Sequence, residues 1–287
     1  MAKPFAEILY KGYAQTFDVI GDMLVDEQTP FQRMHIFDTP MNGRVLALDG
    51  IIQLSDRDEC VYSEMLAHLP ILELGDVRRV LIAGGGDGAI AEEVLKHKAI
   101  EAVDLVEIDA HVVEACKKHF KHVNGDAFAD PRLTVRIEDA LEFLREPGTA
   151  GRYDIIITDR PDPVGPAQVL FATEFYQLVK RALTPRGVAV FQNGVPHYQD
   201  DELAQSHAQL SEVFRHHGLY LIVVPTYVGG FLAVTWASEA MELGRTVSLE
   251  TLSLRFAQSG ISTDYYTPEV HFASFALPAW VRRKLKD

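Results

Sequence analysis

The chain has 287 residues, 47% apolar, 24% charged and 9% aromatic, an ordinary globular mixture that excludes wholesale disorder. Such a length fits one large domain or two small ones, and no apolar run approaches the roughly 18–20 residues a membrane span needs. The 27 Lys and Arg against 41 Asp and Glu leave a net charge of −14, which argues against sequence-independent nucleic-acid binding and reads as a solvated acidic surface compatible with a small cationic ligand.

The first sixty-odd residues read as β structure. Phe31–Phe37 places apolar side chains at alternate positions, broken at Arg33, and predicts a strand. Gly43–Leu48 and Ile51–Leu54 flank Asp49-Gly50, a pair that predicts a hairpin because both central residues can take φ > 0. A helix follows with Tyr62, Met65, Leu66 and Leu69 on one face, expected to end near Pro70.

From Arg78 the texture changes. Val80–Ala83, Val103–Val106, Leu133–Ile137, Ile155–Ile157 and Val188–Phe191 are short, mostly β-branched runs. Between several of them lie the helical patterns Glu92–His97, Val112–Phe120 and Phe171–Leu183. This alternation predicts a Rossmann-like, doubly wound, mostly parallel sheet. Tyr220–Tyr227 and Phe231–Ala237, joined by Gly229-Gly230, predict an antiparallel hairpin at its edge, and Leu249–Gln258 a last amphipathic helix before an aromatic-rich loop. The expected organisation is a small antiparallel β domain over residues 1–70 and an α/β domain over 71–287.

Gly84-Gly85-Gly86-Asp87-Gly88 follows a strand and opens a helix, where glycine lets the backbone approach a ligand at a helix N-terminus. Glu107 closes the second strand, where a carboxylate can hydrogen-bond ribose hydroxyls, and Asp139 ends the third, where an adenine amino group would sit. The three acids in order suggest an adenosine ligand. Asp87 would repel the carboxylate of S-adenosylmethionine but pair with the amine of its decarboxylated form; the alternative is that it merely caps the following helix. After the fourth strand, Thr158 to Ala167 becomes a proline-punctuated loop carrying Asp159 and Asp162. Ligands of open α/β sheets sit beyond the carboxyl ends of the strands, so these acids are expected in the same crevice, suited to an organic cation. Asp159 would orient an attacking amine and accept its proton, and Asp162 would hold charge.

Together these residues resemble the spermidine synthase family of aminopropyltransferases, of bacterial type. The resemblance runs through Gly43–Asp58 (GRVLALDGIIQLSDRD), Gly84–Gly88 (GGGDG), Val106–Asp109 (VEID), Asp159–Ala167 (DRPDPVGPA), Pro225-Thr226-Tyr227 and Tyr266–Pro278 (YTPEVHFASFALP). It implies transfer of an aminopropyl group from decarboxylated S-adenosylmethionine to a diamine, with putrescine giving spermidine and 5′-methylthioadenosine. It implies no cofactor, no metal, and a homodimer or homotetramer. Gln32, Asp87, Glu107, Asp139, Ala140 and Pro166 match donor or product positions. Asp159 matches the proton-accepting acid, assisted by Tyr227, while Tyr62, Ser63, Asp162, Gln192 and Tyr227 fall at the acceptor pocket. Two departures lie on that side. Arg160-Pro161 stands where small or hydroxylated residues are usual, so the guanidinium could pair with a carboxylate or point to solvent, and Ser63 stands where bacterial relatives often carry His. Cadaverine, agmatine or a longer polyamine therefore remain open as acceptors. A methyltransferase on the same sheet and a non-catalytic polyamine or nucleoside sensor are the rival readings.

Other signals carry no function. His216-His217 and His119/His122 are expected at exposed helix ends, and Arg282-Arg283-Lys284 is too short for a nucleic-acid claim. Cys60 and Cys116 sit in no CxxC, which fits a reducing cytoplasm.

Overall fold

The computed structural model of the protein describes residues 4–160 and 172–285. Six strands come first, β1 (Phe5–Tyr10), β2 (Tyr13–Phe17), β3 (Ile20–Gln28), β4 (Arg33–Thr39), β5 (Gly43–Leu48) and β6 (Ile51–Ser55). β1 and β2 pair as a separate hairpin, and β3 to β6 form an antiparallel meander. Period-two alternation gives the meander two apolar faces. Met34, Ile36, Leu46 and Leu54 pack against Ala89, Val112, Cys116 and Phe120 of the larger unit, whereas Phe37, Val45, Ala47 and Ile52 pack with Phe5. Asp49 and Gly50 take φ of 49° and 82°, the left-handed pair that the Asp-Gly turn predicts. The strand expected from Phe31 starts at Arg33, with Phe31 left 44% exposed.

Helix α1 (Glu59–Leu74) corrects the expectation of an end near Pro70: it continues to Leu74 and closes at Gly75, whose N–H bonds Ile71 O. An interior proline costs about 3 kcal/mol. Thirteen of the 16 helical residues are buried, and the last turn places Ile71, Leu72 and Leu74 in the main core, which offsets that cost. The buried acids of this helix take backbone donors from the C-terminal segment. Glu64 accepts the N–H groups of Asp264, Tyr265 and Tyr266 at 2.6, 2.9 and 2.6 Å, and Glu73 accepts Gly244 N at 2.5 Å.

The alternating region then gives β7 (Arg79–Gly84), α2 (Ala89–Leu95), β8 (Ala102–Glu107), α3 (Ala110–His119), α4 (Lys121–Asn124), β9 (Leu133–Ile137), α5 (Ala140–Arg145) and β10 (Tyr153–Asp159). Beyond residue 171 come α6 (Thr173–Ala182), β11 (Leu183–Gln192), α7 (Asp200–Val213), β12 (His216–Val223) and β13 (Phe231–Ser238). The strands form one seven-stranded sheet in the order β12-β13-β11-β10-β7-β8-β9. Neighbours from β11 to β9 are parallel, and β13 runs against both of its neighbours, so only one strand of the edge hairpin opposes the sheet. Both faces are covered. Val80, Ile82, Ile155 and Ile157 pack toward α1 and α2, while Leu81, Ile156 and Ala189 pack with Phe143, Phe175 and Leu210 of α5, α6 and α7.

The chain closes with α8 (Leu249–Ser259), α9 (Pro268–Ser274) and α10 (Ala279–Leu285). The aromatic tail expected as a loop thus contains a helix, opened by Thr267, whose hydroxyl accepts from Val270 N, and by Pro268 in the first turn. His216 and His217 begin β12 instead of ending a helix, His119 ends α3, and His122 Nε2 lies 2.7 Å from Asp56 Oδ1. No described helix is long and apolar enough to cross a membrane.

Glu64→Ala strips the acceptor from three N–H groups, each costing about 1–3 kcal/mol when left unsatisfied. The expected loss is at least about 3 kcal/mol, or a melting temperature lower by roughly 6 °C or more, read by calorimetry. An unchanged transition would mean that this carboxylate does not hold the tail.

Candidate functional site

β7 and β10 lie side by side, but the chain leaves β7 toward β8 and β9 and leaves β10 toward β11, so a topological switch point lies between them. Their last residues, Gly84 and Asp159, are register partners. Gly84 has φ +87°, and a Cβ there would stand 1.9 Å from the Asp159 carbonyl oxygen. At Gly86 a Cβ would meet Glu107 Cγ at 2.8 Å. The glycine loop therefore presses bare backbone against two strand-end acids, a fit that any side chain would destroy.

Above the strand ends, under the N-terminal meander, opens a cleft of about 310 Å³. In sheet order its floor carries Gln192 (β11), Asp159 (β10), Gly84–Asp87 at the end of β7, Glu107 (β8), and Asp139 and Ala140 beyond β9; Gln32, Tyr62 and Tyr227 also line it. The expectation of one crevice holds for these residues in geometry. Asp162 and Pro166 lie outside the described residues.

Several acids do two things at once. Asp87 Oδ1 accepts from Ala89 N at 2.8 Å, so it caps α2 while lining the cleft. Asp139 Oδ1 likewise accepts from Leu141 N at 2.7 Å and caps α5. Glu107 Oε1 accepts from Asp109 N at 2.9 Å, and buried Asp109 accepts from Gln32 Nε2 at 3.1 Å, which orients that amide. Tyr62 Oη donates to Asp159 Oδ1 at 2.5 Å. Tyr227 Oη donates to Gln53 O at 2.5 Å, and its ring meets Tyr62 edge-on at 6.1 Å.

Burial, reinforced by the charge of Asp87, pushes the Asp159 carboxyl up to about 7, against the downward pull of the Tyr62 hydroxyl. Burial also raises Glu107 to about 7 and raises Asp87. Burial and the nearby Asp159 carboxylate hold the Tyr62 and Tyr227 phenols well above their usual range. Among the described lining residues Arg160 alone is cationic. It does not point to solvent: the side chain is 1% exposed, with Nε donating to Gln192 O at 3.0 Å and an Nη to Tyr176 Oη at 3.2 Å. The cleft is thus an acidic chamber fitted to a cation.

Ser63 lines a second cavity of about 20 Å³ behind Tyr62, shared with Glu59, Asp87 and Tyr227, and its hydroxyl donates to Glu59 Oε2 at 2.8 Å. Burial lifts Glu59 to about 7. Glu59 carries no motif that marks it in the sequence, nor does Glu7, which is 3% exposed, lines the cleft and accepts Ile52 N at 2.9 Å. Glu7 sits in phase with buried Phe5, an acid on the inward face of a strand, and that phase was the available signal.

Two family models match the chain, one described as the spermine/spermidine synthase domain over residues 59–246 and one as the spermidine synthase tetramerisation domain over residues 5–56. The chain is 46% identical over 277 residues, 96% of both chains, to a polyamine aminopropyltransferase of Ruegeria sp. (strain TM1040). It is 45% identical over 277 residues, again 96% of both chains, to polyamine aminopropyltransferase 1 of Pseudomonas aeruginosa. Among solved structures it resembles a spermidine synthase in complex with the transition-state analogue AdoDATO, at TM-score 0.92 and 34% identity, covering 99% of this chain and 94% of that one. The spermidine synthase from Thermotoga maritima gives TM-score 0.91 and 33% identity, with 99% and 94% coverage.

Because the Tyr62 hydroxyl lowers the Asp159 pKa, Tyr62→Phe is expected to move it upward from about 7. Carboxyl carbon NMR titration reads this directly; a downward or absent shift would contradict the hydrogen bond's electrostatic role.

Proposed function

The chain belongs to the spermine/spermidine synthase family and is a polyamine aminopropyltransferase, and we propose that it transfers the aminopropyl group of decarboxylated S-adenosylmethionine to putrescine, giving spermidine and 5′-methylthioadenosine. The observation that carries this reading is Asp159 at the switch point, raised to about 7, held by Tyr62 and set beside the glycine loop that bears Asp87.

An amine of pKa roughly 10 is protonated at neutral pH, and freeing it at pH 7 costs roughly 4 kcal/mol. The amine enters as the free base, and Asp159, a better proton acceptor than an ordinary carboxylate, orients the nitrogen and takes its proton as positive charge develops there. The lone pair attacks the propyl carbon next to sulfur, the C–S bond breaks with its electrons going to sulfur, and a neutral thioether leaves. Alignment of nitrogen, carbon and sulfur across the cleft supplies much of the rate. Tyr227 assists at the amine, and Asp87 holds the ammonium of the donor. Asp87 also disfavours the parent sulfonium, whose carboxylate it would repel. Gln32, Glu107, Asp139, Ala140 and Pro166 hold the nucleoside; Tyr62, Ser63, Asp162 and Gln192 shape the acceptor side.

We assign residues 1–70 to the small β unit and 71–287 to the catalytic unit, with α1 spanning the division. Assembly as a homodimer or homotetramer is supported by the tetramerisation-domain match over residues 5–56 and by exposed Ile8 and Ile20 on β1 and β3. The free cysteines, Cys60 and Cys116, accord with a cytoplasmic location.

Incubation with decarboxylated S-adenosylmethionine and a panel of amines, followed by mass spectrometry, is expected to yield methylthioadenosine and spermidine from putrescine. A nucleoside that binds without turnover with any amine would favour the sensor reading, and methyl transfer from the parent sulfonium would favour the methyltransferase. Asp159→Asn is expected to keep donor affinity while losing at least about 10²-fold in rate. Asp87→Ala should weaken the decarboxylated donor and not the parent. Since Asp159 must ionise and the amine must lose a proton, kcat/KM is expected to rise from pH 6 to pH 9. A flat profile would argue against this chemistry.

A further inference from the structure

Arg160 immediately follows Asp159 and borders the cleft, yet the residue is only 1% exposed. A guanidinium is tolerated there only where hydrogen bonds take up its donors. Those described run to the exit of β11 and to α6: Nε to Gln192 O at 3.0 Å, and one Nη to Asn193 Oδ1 at 3.4 Å and to Tyr176 Oη at 3.2 Å. The rings of Tyr176 and Phe191 each lie 5.7 Å from the guanidinium carbon and fix its plane. The backbone repeats the tie. With the Gln192 amide turned to satisfy its neighbours, its nitrogen donates to Arg160 O at 2.9 Å and its oxygen accepts from Gly194 N at 3.3 Å. Asn193 Oδ1 also accepts from Thr235 Oγ1 at 3.4 Å, so the clamp extends to β13.

β10 and β11 are parallel partners up to Thr158 and Phe191, and beyond those residues the ladder no longer sets their spacing. Arg160 spans that gap with side chain and backbone together. We propose that Arg160 is a positioning residue for the amine acceptor, fixing Gln192 and the exit of β11 against Asp159 so that the amine arrives in register with the acid. This rests on the reading that the Gln192 end of the cleft takes the amine. Lysine does not replace it, because a compact ammonium lacks the planar fork that reaches these three acceptors while lying against two rings.

Steady-state kinetics of the wild type, Arg160→Lys, Gln192→Ala and the double variant, with amine varied at saturating donor, test the proposal. They are accompanied by calorimetric binding of methylthioadenosine and a thermal melt. Arg160→Lys is expected to raise the amine KM about tenfold or more, with kcat within about threefold and nucleoside affinity within about twofold. The double variant is expected to fall clearly short of additivity, since the Arg160 side-chain bond to Gln192 O and the Gln192 amide bond to Arg160 O tie the same two segments together. An unchanged amine KM, a loss confined to kcat or nucleoside affinity, or full additivity in the double variant overturns the proposal. Should Arg160→Lys show no cooperative melt, Tyr176→Phe, which removes one acceptor of the guanidinium, takes its place; a smaller rise in amine KM supports the proposal and an unchanged one overturns it. A wild type that turns over no amine overturns the functional reading and this proposal together, whereas turnover with an unchanged KM in the variants overturns this proposal alone.

Discussion

β7 and β10 end side by side with no side chain between their last residues, and the site is built on that contact. At Gly84 even a methyl group would lie 1.9 Å from the Asp159 carbonyl oxygen. The close approach lets the loop after β7 fold over the end of β10, which brings Asp87 within electrostatic reach of Asp159 and removes both from water. Burial then raises both pKa values. A wider strand end would admit water, restore ordinary acidity to Asp159 and leave it a weaker proton acceptor. Packing at one glycine and basicity at one carboxylate are thus a single physical fact.

Helix α1 supplies the second fixed element. It is buried nearly all round, yet carries Glu64, both of whose oxygens accept backbone N–H groups, and Glu73, whose Oε1 accepts from Gly244 N and lies 3.2 Å from His271 Nε2. Just before the helix, Asp58 accepts from Ser55 Oγ and from both Thr226 N and Thr226 Oγ1, one residue from Tyr227. The two tyrosines at the acid are therefore held from behind. Tyr62 rides on the helix, and Tyr227 follows a residue anchored at its cap. Pro70 and the polar interior weaken α1 as an isolated helix, and tertiary contact makes it a rigid arm.

The sequence was legible where structure is local. Asp49-Gly50 dictates its turn whatever surrounds it, and the β-branched runs can sit only in a buried sheet, so the doubly wound topology followed. Strand-end acids in chain order then foretold Asp87, Glu107 and Asp139 in one crevice, because topology alone puts successive strand ends in a row. What failed depended on distant partners. The end of α1 is set by core contacts that outweigh Pro70, and α9 by packing of Tyr266 and His271 beneath α1. Tyr62, Ser63, Gln192 and Tyr227 became candidates only through family resemblance, since a half-buried aromatic or amide has no sequence mark of function. Arg160 shows the limit most clearly. Beside two acids it invites an ion pair or a solvent-facing side chain, whereas the cage of Tyr176, Phe191 and Asn193 lies 16 to 33 positions away along the chain.

An acidic cleft with raised pKa values has a consequence for the order of events. Two like charges roughly 5 Å apart repel by about 3 kcal/mol at an effective dielectric near 20. Burial and this repulsion raise the pKa of Asp87, Glu107 and Asp159 together. A sulfonium donor with its own ammonium reverses this, since each cation favours the ionised form of a neighbouring acid. In the proposed reaction, donor binding would therefore charge the base that the amine needs. In that reaction the positive charge leaves sulfur and develops on nitrogen, the atom proposed to lie beside Asp159. A fixed carboxylate at that point stabilises the transition state more than the ground state, in which the charge is still on sulfur. On this proposal the same acid that receives the proton also draws the charge forward. Because its position is set by Gly84, Tyr62 and the β11 exit, none of that stabilisation has to be reorganised at the moment of reaction.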